Sequence, residues 1–111
     1  MSSFKVGDVW WAKFPYEDNP NEYTIRPVVI LDKETVGLLS VKVTKHEARE
    51  YDPYDTPILY WNEAGLKLAS TARVSKTMIL DKSRFKDRIG TLHKDDLLNI
   101  QQQYVKFIQS Q

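Results

Sequence analysis

The sequence predicts a small, mostly β fold, an antiparallel barrel or curled sheet, with one α-helix packed on it near the C-terminus. Several short apolar segments, each bounded by residues that favour turns, have the length of strands. After them, the spacing of the apolar residues changes to that of an amphipathic helix. The chain has 111 residues, of which 41% are hydrophobic, so we interpret residues 1–111 as a single domain.

Five segments are predicted to form strands: Val9–Phe14, Val28–Leu31, Leu39–Thr44, Pro57–Trp61 and Ala72–Leu80. The second is a continuous apolar run, which is typical of a strand buried on both faces. The third alternates, which places Ser40, Lys42 and Thr44 on one face. In the first strand, the adjacent Trp10 and Trp11 must point to opposite faces. If the core covers one of them, a loop or a partner subunit must cover the other, which favours a dimer.

Two polar segments, residues 16–24 and 45–55, are predicted to be long loops, and loops of this kind often carry functional residues. From Lys94 to Gln109 the apolar residues recur at helical spacing. Asp95 and Asp96 lie in the first turn of this segment, where the helix dipole favours negative charge. The pattern therefore predicts one helix that begins near Lys94 and ends near Gln109.

The composition excludes several kinds of site. Because there is no cysteine, the chain has no disulfide, no thiolate metal site and no cysteine nucleophile. We find neither a His-x-x-x-His pair nor a paired-carboxylate motif, and we predict no metal and no cofactor. The first residues lack a secretory apolar region, and the longest apolar run, Val28–Leu31, is far shorter than the ~20 residues of a membrane helix. We therefore expect a cytoplasmic protein without a membrane segment.

The charges of the chain are nearly balanced, with a formal net charge of +1 and a pI of about 7.9. A dedicated duplex-DNA binder usually has a domain pI above ~9, so the overall charge does not indicate DNA. Basic residues do cluster late in the chain, at Arg73, Lys76, Lys82, Arg84, Lys86, Arg88 and Lys94. This stretch is either a nucleic-acid-binding surface or an ordinary solvated face.

Four segments, in chain order, resemble MazF/PemK toxins: Gly7–Pro15, Tyr23–Leu31, Val41–Thr44 and Ile89–Leu97. They resemble, respectively, the opening strand of that family, its Arg-Pro segment after a long loop, the strand with its active-site Thr, and its approach to the last helix. The resemblance implies an SH3-like barrel, a homodimer, and cleavage of single-stranded RNA without a metal. It also implies a cognate antitoxin whose extended tail covers the RNA site.

By position, Arg26 and Thr44 match the two most recurrent active-site residues of the family that the chain resembles. Three positions depart from the family pattern. Ser75 lies where some members have an Asp, which puts in doubt any mechanism that uses a carboxylate there. Lys45 replaces a frequent Ser after the active-site Thr, which suggests an altered substrate contact. His93 replaces the Ser before the last helix, and we interpret it as structural.

Metal-free RNA cleavage can use the 2′-hydroxyl of the RNA as the nucleophile, so the protein must move protons and stabilise charge on the phosphorane. The Arg26 guanidinium is always charged and planar, which suits phosphate oxygens, and the Thr44 hydroxyl can hold the phosphate in line. His46 is a candidate for proton transfer, because an imidazole pKa near ~6.5 suits acid–base work. Glu22 is a candidate for orienting Arg26 or for acting as a base. In the plainer alternative, Arg26 is a surface residue paired with Glu22, and Thr44 is an ordinary strand residue.

RNA binding also needs contacts away from the reacting phosphate. The candidates for these contacts are Tyr16, Lys45, Arg73 and Lys76. A loop tyrosine such as Tyr16 can stack on a base, which is worth ~1–3 kcal/mol per base in proteins that bind single strands. For Trp10 and Trp11, core packing or a dimer interface is the more ordinary role.

Two functions from different classes are compatible with the sequence. The first is a metal-independent, sequence-selective endoribonuclease toxin, which rests on the ordered resemblance and on Arg26 and Thr44 beside two polar loops. The second is a non-catalytic module on the same barrel, either a simple binding module or a poison of a protein target such as DNA gyrase, as in CcdB-type relatives. Fold alone does not decide between the two.

Overall fold

The computed structural model describes residues 3–111. Its elements in chain order are β1 (Asp8–Pro15), β2 (Tyr23–Glu34), β3 (Gly37–Thr44), β4 (Asp55–Ile58), β5 (Ser70–Leu80), a short 3-10 helix (Lys82–Arg84), β6 (Phe85–Thr91) and α1 (Lys94–Gln109). The strands form one sheet in the order β4-β5-β3-β2-β1-β6, in which every neighbouring pair is antiparallel. The predicted mostly β fold with a C-terminal helix is therefore confirmed.

The sheet is open, because its edge strands β4 and β6 each pair with one neighbour within residues 3–111. The barrel expected from the sequence is thus not closed by hydrogen bonds. Register shifts interrupt the β1–β6, β2–β3 and β3–β5 ladders. Such shifts bend a strand and increase its twist, so a six-stranded sheet can build a core on each of its faces.

Two hydrophobic clusters form these cores. The larger cluster includes Val29, Val41, Val74 and Leu92, and helix α1 contributes Ile100 to it. The smaller cluster lies on the opposite face, and its members are Trp10, Ala12, Phe14, Val28, Ile30, Leu38 and Leu80, with Phe4, Met78 and Phe85 packed against them. The alternation of β1 and β2 accounts for both clusters, since each of these strands gives apolar side chains to both faces.

Three basic residues share the face of the smaller cluster. Strand register pairs Val28 of β2 with Lys42 of β3, and Lys42 with Arg73 of β5. Arg26 lies two residues before Val28, so it points to the same face. Next to the apolar side chains of the smaller cluster, this face is therefore cationic on three adjacent strands, β2, β3 and β5.

The adjacent tryptophans divide as predicted, since Trp10 is 5% exposed in the smaller cluster and Trp11 is 42% exposed on the other face. Strand β6 was not predicted. It is an edge strand whose central residues, Lys86 to Arg88, are all exposed, so no run of buried apolar residues marks it. Among residues 3–111, no helix is both long and apolar enough to cross a bilayer.

The predicted strand Pro57–Trp61 was partly wrong, because β4 begins at Asp55 and ends at Ile58. The buried Asp96 carboxylate accepts the backbone N–H groups of Leu59 and Tyr60, at 3.0 and 2.8 Å. These two amides therefore bond to the start of α1 rather than to a neighbouring strand, which ends β4 early.

Candidate functional site

Arg26 is half-buried on β2 and is held by two neutral oxygens. Its Nε donates to the Thr24 hydroxyl at 3.0 Å, and one terminal nitrogen donates to the Val43 carbonyl at 3.5 Å. Burial lowers the pKa of Arg26, although an arginine remains protonated at any relevant pH. Within residues 3–111 it forms no ion pair, and Glu22 is exposed and not bonded to it. The positive charge of Arg26 is thus available to an anion.

Thr44 is buried at the end of β3, 7% exposed, and its hydroxyl accepts the backbone N–H of His46 at 3.3 Å. This bond turns the chain out of the strand and into the following loop. Arg26, Thr44, Lys45 and His46 all line one recess of about 580 Å³, which we call the Arg26 recess. The two residues predicted to be catalytic therefore lie in one place, together with two of the other predicted site residues.

A second recess, of about 480 Å³, contains the predicted RNA-binding residues Tyr16 and Lys76. We call it the Lys76 recess. The Lys76 ammonium donates to the Glu17 carboxylate at 2.6 Å, which bridges the β1–β2 loop to β5. Thr24 also lines this recess, and its hydroxyl is the group that holds Arg26. The two recesses are therefore joined through Thr24 and Arg26.

Arg73 is a residue of β5, which lies between β3 and β4, and it is only 9% exposed. One of its terminal nitrogens donates to the buried Asp55 carboxylate at 2.8 Å. Arg49 donates two hydrogen bonds to the same carboxylate, one from its Nε at 2.8 Å and one from a terminal nitrogen at 3.0 Å. Burial raises the pKa of Asp55, but the bonds from Arg49 and the charge of Arg73 outweigh it and leave that pKa below its ordinary value. The Arg49–Asp55–Arg73 cluster thus anchors the loop that begins at Lys45.

Ser75 hydrogen-bonds a carboxylate from another part of the chain. Its hydroxyl donates to Asp52 at 2.5 Å, and Arg49 donates to the same carboxylate oxygen at 2.9 Å. The resemblance led to doubt about a carboxylate at Ser75, and the structure places one beside that position, supplied by the β3–β4 loop. Ser75 lines the Lys76 recess.

Lys42 is a site residue that the sequence analysis did not single out. It is half-buried on β3, lines the Lys76 recess, and its ammonium lies 5.8 Å from the centroid of the Phe14 ring. Burial lowers the pKa of Lys42, and the charges of Arg26, Arg73 and Lys76 lower it further. The sequence did contain evidence for Lys42, because the alternation of β3 places it on the same face as Thr44.

The remaining predicted residues lie at the margins. Glu22 is exposed at the end of the β1–β2 loop, where its carbonyl accepts the Tyr16 N–H at 3.0 Å, and it lines neither recess. His46 is exposed in the lining of the Arg26 recess. His93 caps α1, since its Nδ1 accepts the Asp95 N–H at 3.0 Å, as a serine hydroxyl would. In the described part of the chain, no three His, Asp or Glu side chains are grouped so as to hold a metal ion, and the absence of a metal stays a prediction.

The fold and the site together define a small antiparallel β protein with a cationic, partly buried face. The family model of the PemK-like, MazF-like toxins of type II toxin–antitoxin systems matches residues 5–108. The chain therefore belongs to this family. The comparison with curated proteins gives no match.

Solved structures share the fold over nearly the whole chain. MazF from Deinococcus radiodurans has a TM-score of 0.77 and 17% identity, with 98% of this chain and 99% of that chain covered. An endoribonuclease from a mycobacterial species has a TM-score of 0.74 and 13% identity, with 98% and 94% covered. A mycobacterial endoribonuclease in complex with its cognate antitoxin has a TM-score of 0.71 and 14% identity, with 98% and 96% covered.

Proposed function

We propose that this chain is an endoribonuclease toxin that cleaves single-stranded RNA without a metal ion and is neutralised by a cognate antitoxin. The observation that carries the proposal is the Arg26 guanidinium, which is half-buried, fixed by Thr24 and Val43, and free of ion pairs within residues 3–111. Membership of the toxin family supports it, as does the similarity to proteins named as endoribonucleases.

The proposed reaction begins when the 2′-hydroxyl of the RNA attacks the adjacent phosphorus. The P–O5′ bond then breaks and leaves a 2′,3′-cyclic phosphate and a free 5′-hydroxyl. Arg26 donates hydrogen bonds to a non-bridging oxygen, where negative charge grows in the transition state. Thr44, which lines the same recess, orients the phosphate through its hydroxyl. A fixed donor of this kind is typically worth ~3 kcal/mol of barrier, which is roughly a hundredfold in rate.

We propose that the RNA backbone crosses from the Arg26 recess to the Lys76 recess over Arg26. Lys45 and His46 then contact the strand on one side of the reacting phosphate, and Tyr16 and Lys76 contact it on the other. Tyr16 is 44% exposed, so its ring is accessible for stacking on an unpaired base. Arg73 acts from behind this surface, because its guanidinium is bonded to Asp55.

We propose that the antitoxin competes with RNA for this cationic face. An extended segment with carboxylate side chains would pair with the same charges as the RNA phosphates. The relative that is solved with its cognate antitoxin has the same fold, which supports such a partner. We propose a cytoplasmic location for the toxin, because its proposed substrate is cellular RNA.

We also propose a homodimer, formed through the apolar face that carries Trp11 and Ile25. These side chains are 42% and 50% exposed and lie on neighbouring strands, in the lining of the Arg26 recess. Leu68, which is 58% exposed, lines the same recess. Trp11→Glu should therefore convert the dimer to a monomer in sedimentation equilibrium, and a wild-type monomer would contradict the proposal.

The proposed function is tested by incubating the protein with a long single-stranded RNA in EDTA, beside the Arg26→Ala variant. We expect discrete products that end in a 2′,3′-cyclic phosphate, formed at least about a hundredfold more slowly by the variant. Arg84→Ala is the matched control, because Arg84 is also half-buried but lines neither recess. Within residues 3–111 its side chain donates only to the Lys13 carbonyl.

Arg26→Lys separates charge from shape in the same assay. A lysine keeps the positive charge but loses the planar fork, so it should restore only part of the rate. Intact RNA at high wild-type concentration would refute the nuclease and favour the non-catalytic module or a poison of a protein target. Full activity of the Arg26→Ala variant would refute the role of Arg26 while leaving the nuclease in place.

A further inference from the structure

Lys42 occupies the middle of the cationic face, between Arg26 and Arg73. Strand register pairs it with Val28 on one side and with Arg73 on the other, and Arg26 lies two residues from Val28 on the same face. Its ammonium lies 5.8 Å from the centroid of the Phe14 ring, so an apolar wall flanks it on one side. Lys42 therefore lines the Lys76 recess on the strand next to the one that carries Arg26, beside the proposed RNA path.

The ammonium group of Lys42 has no carboxylate partner within residues 3–111. The charged groups that face it are Arg26 on β2, Arg73 and Lys76 on β5, and Glu17 on the β1–β2 loop. The Glu17 carboxylate forms an ion pair with Lys76 at 2.6 Å, so it is not the ion-pair partner of Lys42. A half-buried ammonium beside three other cations gives up its proton more readily than a solvated lysine.

We propose that Lys42 is a catalytic residue of this site, and that its ammonium group donates a proton to the 5′ oxygen that leaves during RNA cleavage. This inference rests on the proposed function. It assigns the proton donor, a role that neither Arg26 nor Thr44 fills well, because an arginine rarely releases a proton and a hydroxyl is a weak acid.

The 2′-hydroxyl loses its proton to hydroxide or water and forms a new bond to phosphorus. The P–O5′ bond breaks, and the electron pair of that bond takes the proton from the Lys42 ammonium. The neutral amine of Lys42 then regains a proton from water after the products leave, so the protein is unchanged.

The other titratable or basic residues are less suited to this role. Lys76 is bonded to Glu17 and Arg73 is bonded to Asp55, so each already has an anionic partner. His46 is exposed in the lining of the Arg26 recess, and Glu22 lines neither recess. Lys45 and Lys67 line the Arg26 recess and have no ion pair within residues 3–111, but both are exposed. Lys42 is the half-buried lysine that has no ion pair within the same residues.

The test compares two substrates at a mapped cleavage site, one with the natural 5′ oxygen and one with sulfur at that bridging position. A sulfur leaving group needs no proton, so the loss of a proton donor should not slow its departure. We expect Lys42→Met to cleave the oxygen substrate at least about a hundredfold more slowly than wild type. The same variant should cleave the sulfur substrate within a few fold of wild type.

Lys42→Arg is the second variant, because it keeps the charge but does not release a proton at neutral pH. It should resemble Lys42→Met on the oxygen substrate, and should also recover on the sulfur substrate. Lys33→Met is the control, since Lys33 is an exposed lysine of β2 that lines neither recess. Its rates should equal those of wild type on both substrates.

Three results would overturn the assignment of Lys42. An equal loss for Lys42→Met on both substrates would show that Lys42 binds the phosphate and does not donate the proton. Undiminished cleavage of the oxygen substrate by Lys42→Met or by Lys42→Arg would show that Lys42 is not required. A wild-type protein that cleaves neither substrate would refute the proposed function, and the role of Lys42 with it.

Discussion

The Arg49–Asp55–Arg73 cluster should make a large contribution to stability, and Asp55→Ala measures it. The Asp55 side chain is 0% exposed and the Arg73 side chain is 10% exposed, so removing the carboxylate leaves a nearly buried guanidinium without a partner. Breaking a buried pair in this way typically costs ~3–5 kcal/mol. Domains of this size are usually stable by only ~5–15 kcal/mol, so the variant should lose a large fraction of its free energy of unfolding.

The assay is urea unfolding followed by circular dichroism, supported by thermal unfolding. We expect the urea midpoint to fall with little change in the m-value, and the Tm to drop by roughly 10–20 °C. Asp87→Ala is the control, since Asp87 is an exposed residue of the edge strand β6, and its effect should stay within ~0.5 kcal/mol. A cost below ~1 kcal/mol for Asp55→Ala would refute the view that this carboxylate neutralises buried cations.

The cluster also predicts a pH dependence. The folded-state pKa of Asp55 lies below its ordinary value, so its contribution to stability is fully present above about pH 4. That contribution is lost as the pH falls through the folded-state pKa, because the protonated carboxyl no longer pairs with Arg49 and Arg73. Wild type should therefore lose more stability in this acidic range than Asp55→Ala does. Parallel stability curves for the two proteins would contradict the sign of this shift.

Two further predictions concern a close approach and a surface ion pair. Gly90→Ala should lower the Tm and prevent tight packing, because an added Cβ would collide with the Ala64 carbonyl; an unchanged Tm would contradict this. Glu17→Gln should strengthen binding of a non-cleavable RNA about twofold to fivefold at low salt, measured by fluorescence anisotropy, because it frees Lys76 from an exposed pair worth at most ~1 kcal/mol. Weaker binding would mean that Glu17 contacts the RNA favourably.

The parts of the fold that depend on local pattern were predictable from the sequence. Helix α1 begins at Lys94 and ends at Gln109, as the helical spacing predicted, because one face of it packs on the sheet. Strand β6, which was not predicted, depends on contacts between distant parts of the chain and not on a local pattern. Its pairing with β1 is fixed by contacts between Asp8 and Thr91 and between Val9 and Gly90, which are distant in sequence and leave no local periodicity.

The candidate site was predictable to the extent that neighbouring strands bring its residues together. Arg26 and Thr44 line one recess because β2 and β3 are adjacent and antiparallel. The register that pairs Lys42 with Arg73 was not accessible, because a register shift in the β3–β5 ladder separates this pair from the one at Ser40 and Met78. A pattern of alternating residues gives the face of a side chain, but it does not give its partner across the sheet.

The charges of the site divide into two groups with different tasks. Asp55 neutralises Arg49 and Arg73, and these three residues hold the loop after β3 in place. Arg26 and Lys42 have no such carboxylate within residues 3–111, although burial disfavours the charge of each. Because burial disfavours both charges and no carboxylate offsets that cost, these two cations are not expected to add to the stability of the free protein. The two charges are explained if an anion completes the site, and an RNA phosphate is the anion that the proposed function supplies.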